Sequence, residues 1–305
     1  MNATHLEPQA PSVPSHEPPR IIVPHRASVF ADRARRFAAL APGHSLGDWL
    51  AFLGRIAAAQ QEALDTLPAI PLPDASTLGR CREHGMPPVA AQSWPRDPAW
   101  RQALVTLAER LRTNAPPAAE VTLTGLLAAP AAELEGLAGR VLRTELYGGD
   151  ADRLPFVAAA LQVYWTALAA GLGPAGIPAL DLPGLCPCCG FLPVASIVRT
   201  GGDVANLRYL HCALCNTEWN LVRVKCAACD ANAKVSYRQI EGGDEVVRAE
   251  TCDDCHAYLK IVYPEKAPEA DPVADDLATL ALDILVDEAG YTRAGPNLLL
   301  VPGAG

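Results

Sequence analysis

Positive charge is in short supply in this sequence. Its 305 residues carry 25 Lys and Arg against 34 Asp and Glu, a net charge of −9, whereas a domain built to grip phosphates is basic, often with a pI above about 9. The segment Cys186 to Tyr263, richest in β-branched residues, holds eight cations against nine anions. Nucleic acid is therefore not an expected partner. Catalytic signatures are missing as well: there is no Walker-type phosphate loop, and no glycine fingerprint or serine elbow between a strand and a helix, where its chemistry would need it.

The start, "MNATHLEPQAPSVPSHEPPR", lacks an apolar run and a small-residue cleavage site, so it is expected to be neither a secretory signal nor an anchor. It reads as a Pro-rich disordered tail over residues 1–26. The most apolar stretch, "FVAAALQVYWTALAAGLG" from Phe156 to Gly173, is dilute in Leu and Ile and interrupted by Gln162 and Thr166; a buried core helix is expected, with no membrane contact. The protein is expected to be cytoplasmic, where thiols stay reduced and ten cysteines do not form a disulfide framework.

Residues 27–184 are Ala- and Leu-rich, contain one cysteine, and carry helical periodicity. Helices are expected over Ala27 to Leu40, Ala131 to Leu146 and Asp152 to Leu172. Another follows Ser45 as N-cap, with Leu46, Trp49, Leu50, Leu53 and Ala57 on one face. A further one has Asp97 as cap, Pro98 at the first helical position and Trp100, Leu104, Leu107 and Leu111 on one stripe. The stretches "LPAIPLPD" and "GMPPVAAQSWPRDP" read as linkers or packed loops. After a second domain at residues 185–264, the segment 265–305 returns to helix, opened by Asp271 and Pro272 with Val273, Leu277, Leu280, Ala281, Ile284 and Leu285 as its stripe. The fold class is α+β: an N-terminal all-helical bundle, a duplicated four-cysteine β domain of zinc-ribbon or rubredoxin-like type, and a C-terminal helix.

The duplication is explicit. Four C-x-x-C pairs occur, Cys186 with Cys189, Cys212 with Cys215, Cys226 with Cys229, and Cys252 with Cys255; twenty-two residues separate the first two pairs and twenty-two the last two. The second half copies the first at an offset of forty, and Gly201-Gly202-Asp203 answers Gly242-Gly243-Asp244 as a hairpin turn. Two thiolates three positions apart on a tight turn can hold one ion from one side, and a second such turn completes a tetrahedron. The eight cysteines are thus candidate ligands of two tetrathiolate ions, one per ribbon, with a helical half that folds without them. The repeat favours pairing first with second and third with fourth, while spacing alone also permits a cross-braced arrangement. Four thiolates suit zinc and equally suit a single iron.

Among neighbouring residues, Cys188 reads as a semi-buried spacer between two ligands, His211 and His256 as residues beside the ligands or on the surface, Trp219 and Tyr258 as ribbon packing, and Cys81, near His84, as structural.

On "GHSLGDWLAFLGRIAAAQ", "CPCCG", "YLHCALCNTEW", "KCAACD", "ETCDDCHAYLK" and "DDLATLALDILVDEAGYTRAGPNLLL", the chain resembles the bacterial formate dehydrogenase accessory proteins, the FdhE family. The resemblance implies a cytoplasmic, non-catalytic maturation chaperone that engages the catalytic subunit of respiratory formate dehydrogenase, with iron favoured at the eight paired cysteines. Cys188 stands where the family pattern carries an apolar residue. A rubredoxin-like electron carrier and a nucleic-acid-binding zinc ribbon are the alternative functions, and self-association is left open.

Overall fold

The computed structural model describes residues 18–200, 206–232 and 234–300. In chain order the elements are β1 (Ile21–Ile22), α1 (Val29–Leu40), α2 (Gly47–Thr66), α3 (Ala75–His84), α4 (Ala99–Arg112), α5 (Pro117–Ala128), α6 (Ala131–Leu142) and α7 (Leu154–Leu172). There follow β2 (Pro193–Arg199), β3 (Leu207–Cys212), β4 (Glu218–Asn220), β5 (Val235–Arg238), β6 (Val247–Cys252), β7 (Ala257–Val262), α8 (Pro272–Ala278), α9 (Leu280–Glu288) and β8 (Thr292–Arg293). An all-helical half thus precedes the duplicated four-cysteine β region, as the pattern of apolar residues implies.

The α4 stripe is buried at Trp100, Leu104, Leu107 and Leu111; the helix starts one residue later than expected, at Ala99 with Pro98 in the cap position, and the Asp97 carboxylate accepts from the Ala99 amide at 2.8 Å. Ser45 does not cap α2: the helix begins at Gly47, and its side-chain partner at the entry is His44, whose Nδ1 accepts from the Leu46 amide at 3.0 Å. The helix read through Leu146 stops at Leu142, and Thr144 takes φ 59°. Two helices lacked a stripe strong enough to be read. One is α3, held by the Asp74 side chain accepting from Thr77 N; the other is α5, which buries only Leu123 and Leu126. Helix α7 is long and apolar enough to cross a membrane, yet 83% of its apolar window is buried inside the protein. It is the central core helix of this half.

All the described strands join one sheet, in the order β1-β4-β3-β2-β7-β6-β5, with β8 beside β7. Each ribbon is an antiparallel meander, β2-β3-β4 and β5-β6-β7, and β3 and β6 lie forty residues apart at both ends. The ribbons meet through the parallel pair β2–β7, sealed by buried Arg208, whose guanidinium lies 2.7 Å from the Glu250 carboxylate. Ser196 Oγ donates to the same carboxylate at 2.6 Å.

Several expectations need correction. Residues 18–26 are not tail: Ile21 pairs with Trp219 and Ile22 with Glu218, and the Pro19 carbonyl accepts from Tyr209 Oη at 2.8 Å. The Gly242-Gly243-Asp244 turn lies in a wider loop, with Gly242 at φ 72° and Asp244 Oδ1 accepting from Val246 N; Gly201-Gly202-Asp203 lies outside the described residues. The C-terminal helix is two helices broken at Thr279, whose φ of −119° is not helical. Beyond the break the phase changes, so Leu282 and Val286 are buried while Ile284 and Leu285 are 60% and 49% exposed. Buried Lys260 enforces the break, donating from Nζ to the carbonyls of Asp276 and Thr279 at 2.8 and 3.0 Å.

The helical half is not independent of the first ribbon. Cys186, Cys189, Cys212 and Cys215 belong to the same hydrophobic core as Trp100, Leu161 and Trp165.

Candidate metal centres

The first and third C-x-x-C turns share one construction. In the first, the Cys186 amide donates to the Phe191 carbonyl at 2.9 Å and the Gly190 amide to the Cys186 carbonyl at 2.7 Å. In the third, the Cys226 amide donates to Ala231 O at 2.8 Å and the Asp230 amide to Cys226 O at 3.0 Å. The residue after the second cysteine reverses the chain with positive φ in all four turns: Gly190 at 69°, Asn216 at 57°, Asp230 at 58° and His256 at 55°. Gly, Asn, Asp and His are the residue types that reach this region most readily. Sequence reasoning missed this fifth position, although its residue types were the signal. His256 is therefore a turn residue.

The structure groups the first pair with the second and the third with the fourth. Within Cys186, Cys189, Cys212 and Cys215, and again within Cys226, Cys229, Cys252 and Cys255, the four sulfurs lie within 4.8 Å of one another. In cluster 1 the Cys186–Cys215 and Cys189–Cys212 Sγ pairs are 3.5 Å apart; in cluster 2 Cys226–Cys255 and Cys229–Cys252 are 3.7 and 3.8 Å apart. A disulfide would need about 2.05 Å. A tetrahedron with metal–sulfur distances of about 2.3 Å has an edge of about 3.8 Å, so both donor sets fit a tetrahedral thiophilic ion. Backbone amides add support, those of Leu214 and Cys215 donating to Cys212 Sγ at 3.4 Å and that of Ala228 to Cys226 Sγ at 3.4 Å.

Electrostatics in cluster 1 also call for a cation. Burial pushes the Cys186 and Cys189 thiols well up. Burial works against a Cys215 thiolate too, yet hydrogen bonds from Cys186, Cys188 and Cys189 hold that thiol well down. Four thiolates in so dry a site require a bound positive ion.

The clusters differ in surroundings. All four cluster 1 cysteines are buried, whereas Cys229 and Cys255 of cluster 2 are exposed. Cluster 1 is clasped by the helical half: the Val89 and Ala91 amides donate to the carbonyls of Cys188 and Cys189 at 3.2 and 2.8 Å, and Trp165 Nε1 donates to Val89 O at 2.9 Å. The "GMPPVAAQSWPRDP" loop is thus part of the site. The two polar interruptions of α7 complete the clasp. Gln162 Nε2 donates to the Ala213 carbonyl at 2.8 Å, and Thr166 Oγ1 accepts from Asn216 Nδ2 at 2.8 Å. Asn216 Oδ1 in turn accepts from Arg33 at 2.8 Å and faces His211 Nε2 at 3.1 Å. Arg33 is fully buried and also binds Asp271 at 3.0 Å. His211 is a buried support beside the ligand turn, its Nδ1 3.1 Å from Glu218 Oε1. Burial opposes ionisation of Glu218, but His211 and Arg199 outweigh it and hold its carboxyl at about 2.

Cys188 is wholly buried against Cys215 and Thr217, and its hydrogen bond to Cys215, with burial, pushes its thiol well up. It is a buried packing thiol. Cys81 is buried on α3 and His84 beside it is exposed; neither joins a four-ligand cluster among the described residues. Trp219 Nε1 donates to Pro183 O at 2.7 Å, and Tyr258 Oη to Asp283 at 2.8 Å. Two spans spell catalytic consensus letters without the context. Gly43-His44-Ser45-Leu46-Gly47 joins one helix to the next, and Gly171-Leu172-Gly173-Pro174-Ala175-Gly176 closes α7.

A duplicated four-cysteine ribbon fused through one cluster to an all-helical half defines the class of protein. Residues 18–180 match the model for "FdhE, N-terminal", 185–223 that for "FdhE, central domain", and 224–300 that for "FdhE, C-terminal domain". The FdhE homologue of Edwardsiella ictaluri is 41% identical over 284 residues, covering 93% of this chain and 92% of the relative. Protein FdhE of an Escherichia coli strain is 36% identical over 288 residues, covering 94% and 93%. The crystal structure of the FdhE protein from Pseudomonas aeruginosa superimposes with a TM-score of 0.84 at 38% identity, covering 94% of this chain and all of that one. The chain belongs to the FdhE family.

Proposed function

We propose that this protein is a cytoplasmic, non-catalytic accessory factor in the maturation of respiratory formate dehydrogenase, engaging its catalytic subunit and holding two metal ions through Cys186, Cys189, Cys212, Cys215, Cys226, Cys229, Cys252 and Cys255. Family membership over nearly the whole chain is the observation that carries this reading. The donor sets support its metal part: a tetrathiolate ion would cross-link each ribbon in place of a larger hydrophobic core. A closed tetrahedron of four cysteines offers no open position for substrate, in keeping with an assembly role.

The seam between the halves suits a client. A cleft of about 690 Å³ opens between α1 and the first ribbon, with Val29, Arg35, Arg199, Glu218 and Glu269 on its walls. Its walls mix both signs of charge with apolar side chains such as Val29, which matches a protein surface better than a nucleic acid.

Deleting the protein is expected to lower respiratory formate dehydrogenase activity while the catalytic polypeptide is still made, and full-length protein is expected to capture that subunit before export. Replacing exposed Arg35 on the cleft rim by Glu should weaken capture with both ions retained. Wild-type activity in the deletion strain, or no capture, would refute the reading. An electron carrier is the second reading, favoured by the exposed sulfurs of cluster 2. Elemental analysis and an optical spectrum of anaerobically purified protein separate the two, because zinc at both sites removes the carrier.

A further inference from the structure

The two halves of the repeat are alike in spacing and unlike in burial. Every cluster 1 cysteine is at most 1% exposed, and its turns are roofed by α7 and by the loop through Val89 and Ala91. For an ion to leave, Gln162 must release Ala213, Thr166 must release Asn216, and a core continuous with Trp165 must part. Openings of that size draw on the global stability of the protein.

Among the described residues cluster 2 has no such roof, although Cys226 and Cys252 are themselves buried. Cys229 and Cys255 reach solvent. The third turn is braced by the surface pair Lys225–Asp230 at 2.8 Å and by a close approach at Gly184, where a Cβ would sit 2.1 Å from the Ala227 carbonyl oxygen. The fourth is braced by Tyr291 Oη donating to Asp253 at 2.6 Å and by the partly exposed pair Lys234–Asp254 at 3.0 Å. Exposed ion pairs contribute about 0–1 kcal/mol each, and the fourth turn is held besides by strand β8, whose Thr292 amide donates to the His256 carbonyl at 2.8 Å. Opening these turns breaks such local contacts and does not part the core around Trp165, to which none of the cluster 2 cysteines belongs.

We infer that cluster 2 is an exchange site for a soft divalent ion, open to ligands from solvent through Cys229 and Cys255, whereas cluster 1 is a sealed structural site. The inference rests on the reading that each cluster binds one ion, and it adds a division of labour that the duplicated spacing does not contain.

The test uses the full wild-type chain loaded with two zinc ions and challenged with excess chromogenic chelator. One equivalent should leave in a fast phase and one in a slow phase, with rates about tenfold or more apart. N-ethylmaleimide added after the fast phase, followed by peptide mass spectrometry, should label Cys226, Cys229, Cys252 and Cys255 and spare Cys186, Cys189, Cys212 and Cys215. Release of both ions in one phase, or labelling of cluster 1 first, overturns the inference and leaves two-ion binding intact. A chain that takes up fewer than two ions overturns both.

Discussion

Asn216 gives the sharpest test of how the helical half holds cluster 1. Its carboxamide does three things at once: Oδ1 accepts from buried Arg33 at 2.8 Å and from His211 at 3.1 Å, and Nδ2 donates to Thr166 at 2.8 Å. Its backbone sits at φ 57°. Losing a hydrogen bond to a charged group costs about 1.5–3 kcal/mol, and losing the neutral bond to Thr166 about 1. Alanine in the left-handed region adds roughly 1 kcal/mol over asparagine. Arg33 keeps Asp271 at 3.0 Å, so its charge is never wholly unpaired and part of the loss relaxes away. Asn216→Ala should therefore destabilise by about 3–4 kcal/mol, and Asn216→Gly, which removes the same bonds without the backbone strain, by about 1 kcal/mol less. Urea unfolding of the two-ion protein, followed by tryptophan fluorescence and far-UV circular dichroism, measures both. Destabilisation by Ala of less than about 1 kcal/mol, or Gly no better than Ala, would refute the account of Asn216 as the link between Arg33, His211 and α7.

Cys226→Ser should remove one ion and leave urea unfolding of the helical half unchanged, whereas Cys186→Ser should remove one ion and destabilise helices and ribbon together; identical unfolding curves would show that cluster 1 is not part of the common core. Gln162→Leu should cost about 1–2 kcal/mol, because the Ala213 carbonyl loses its partner in a dry setting. Glu218 is held at about 2 against an ordinary value of 4.5, so its contribution is complete above about pH 4.5 and is lost as pH falls toward 2; stability in that window should fall less steeply in Glu218→Gln than in the wild type, and equal slopes would remove Glu218 as the cause. At low salt, duplex DNA should bind no better than to an acidic control protein, since the ribbons of this −9 chain, with eight cations against nine anions from Cys186 to Tyr263, lack the clustered cations that counterion release needs.

What could be read in the sequence was whatever local geometry determines. The spacing of Cys186, Cys189, Cys212 and Cys215 specifies a turn, a hairpin and a second turn, and the structure brings those sulfurs together as it does their counterparts forty residues on. The α4 stripe was legible for the same reason: Trp100, Leu104, Leu107 and Leu111 record their burial in a 3.6-residue period. The two-residue strands β1 and β8 were not legible, because they carry no period and exist only through partners far along the chain. The break at Thr279 is of that kind too. Nothing in "DDLATLALDIL" announces it, and the agent is Lys260, which takes the carbonyls that a continuous helix would use for itself.

The inequality of the two clusters shows where the boundary lies. A duplicated unit begins with two copies of one set of local instructions, and spacing, turn residues and strand lengths keep that equality in the sequence. Burial is decided by what packs outside the unit. Gln162 and Thr166 interrupt the most apolar stretch of the chain, where a membrane span or a purely apolar core would have no use for them. Their amide and hydroxyl meet Ala213 and Asn216, the groups of the second cysteine turn that would otherwise be buried unpaired. Among the described residues no apolar helix brings such a pair to the fourth turn, which is met by Tyr291 and Thr292 instead and whose second cysteine is exposed. Polar residues in an apolar helix are thus the sequence-level trace of which copy of the repeat is sealed, and they become readable once each is asked which buried backbone or side-chain group it satisfies.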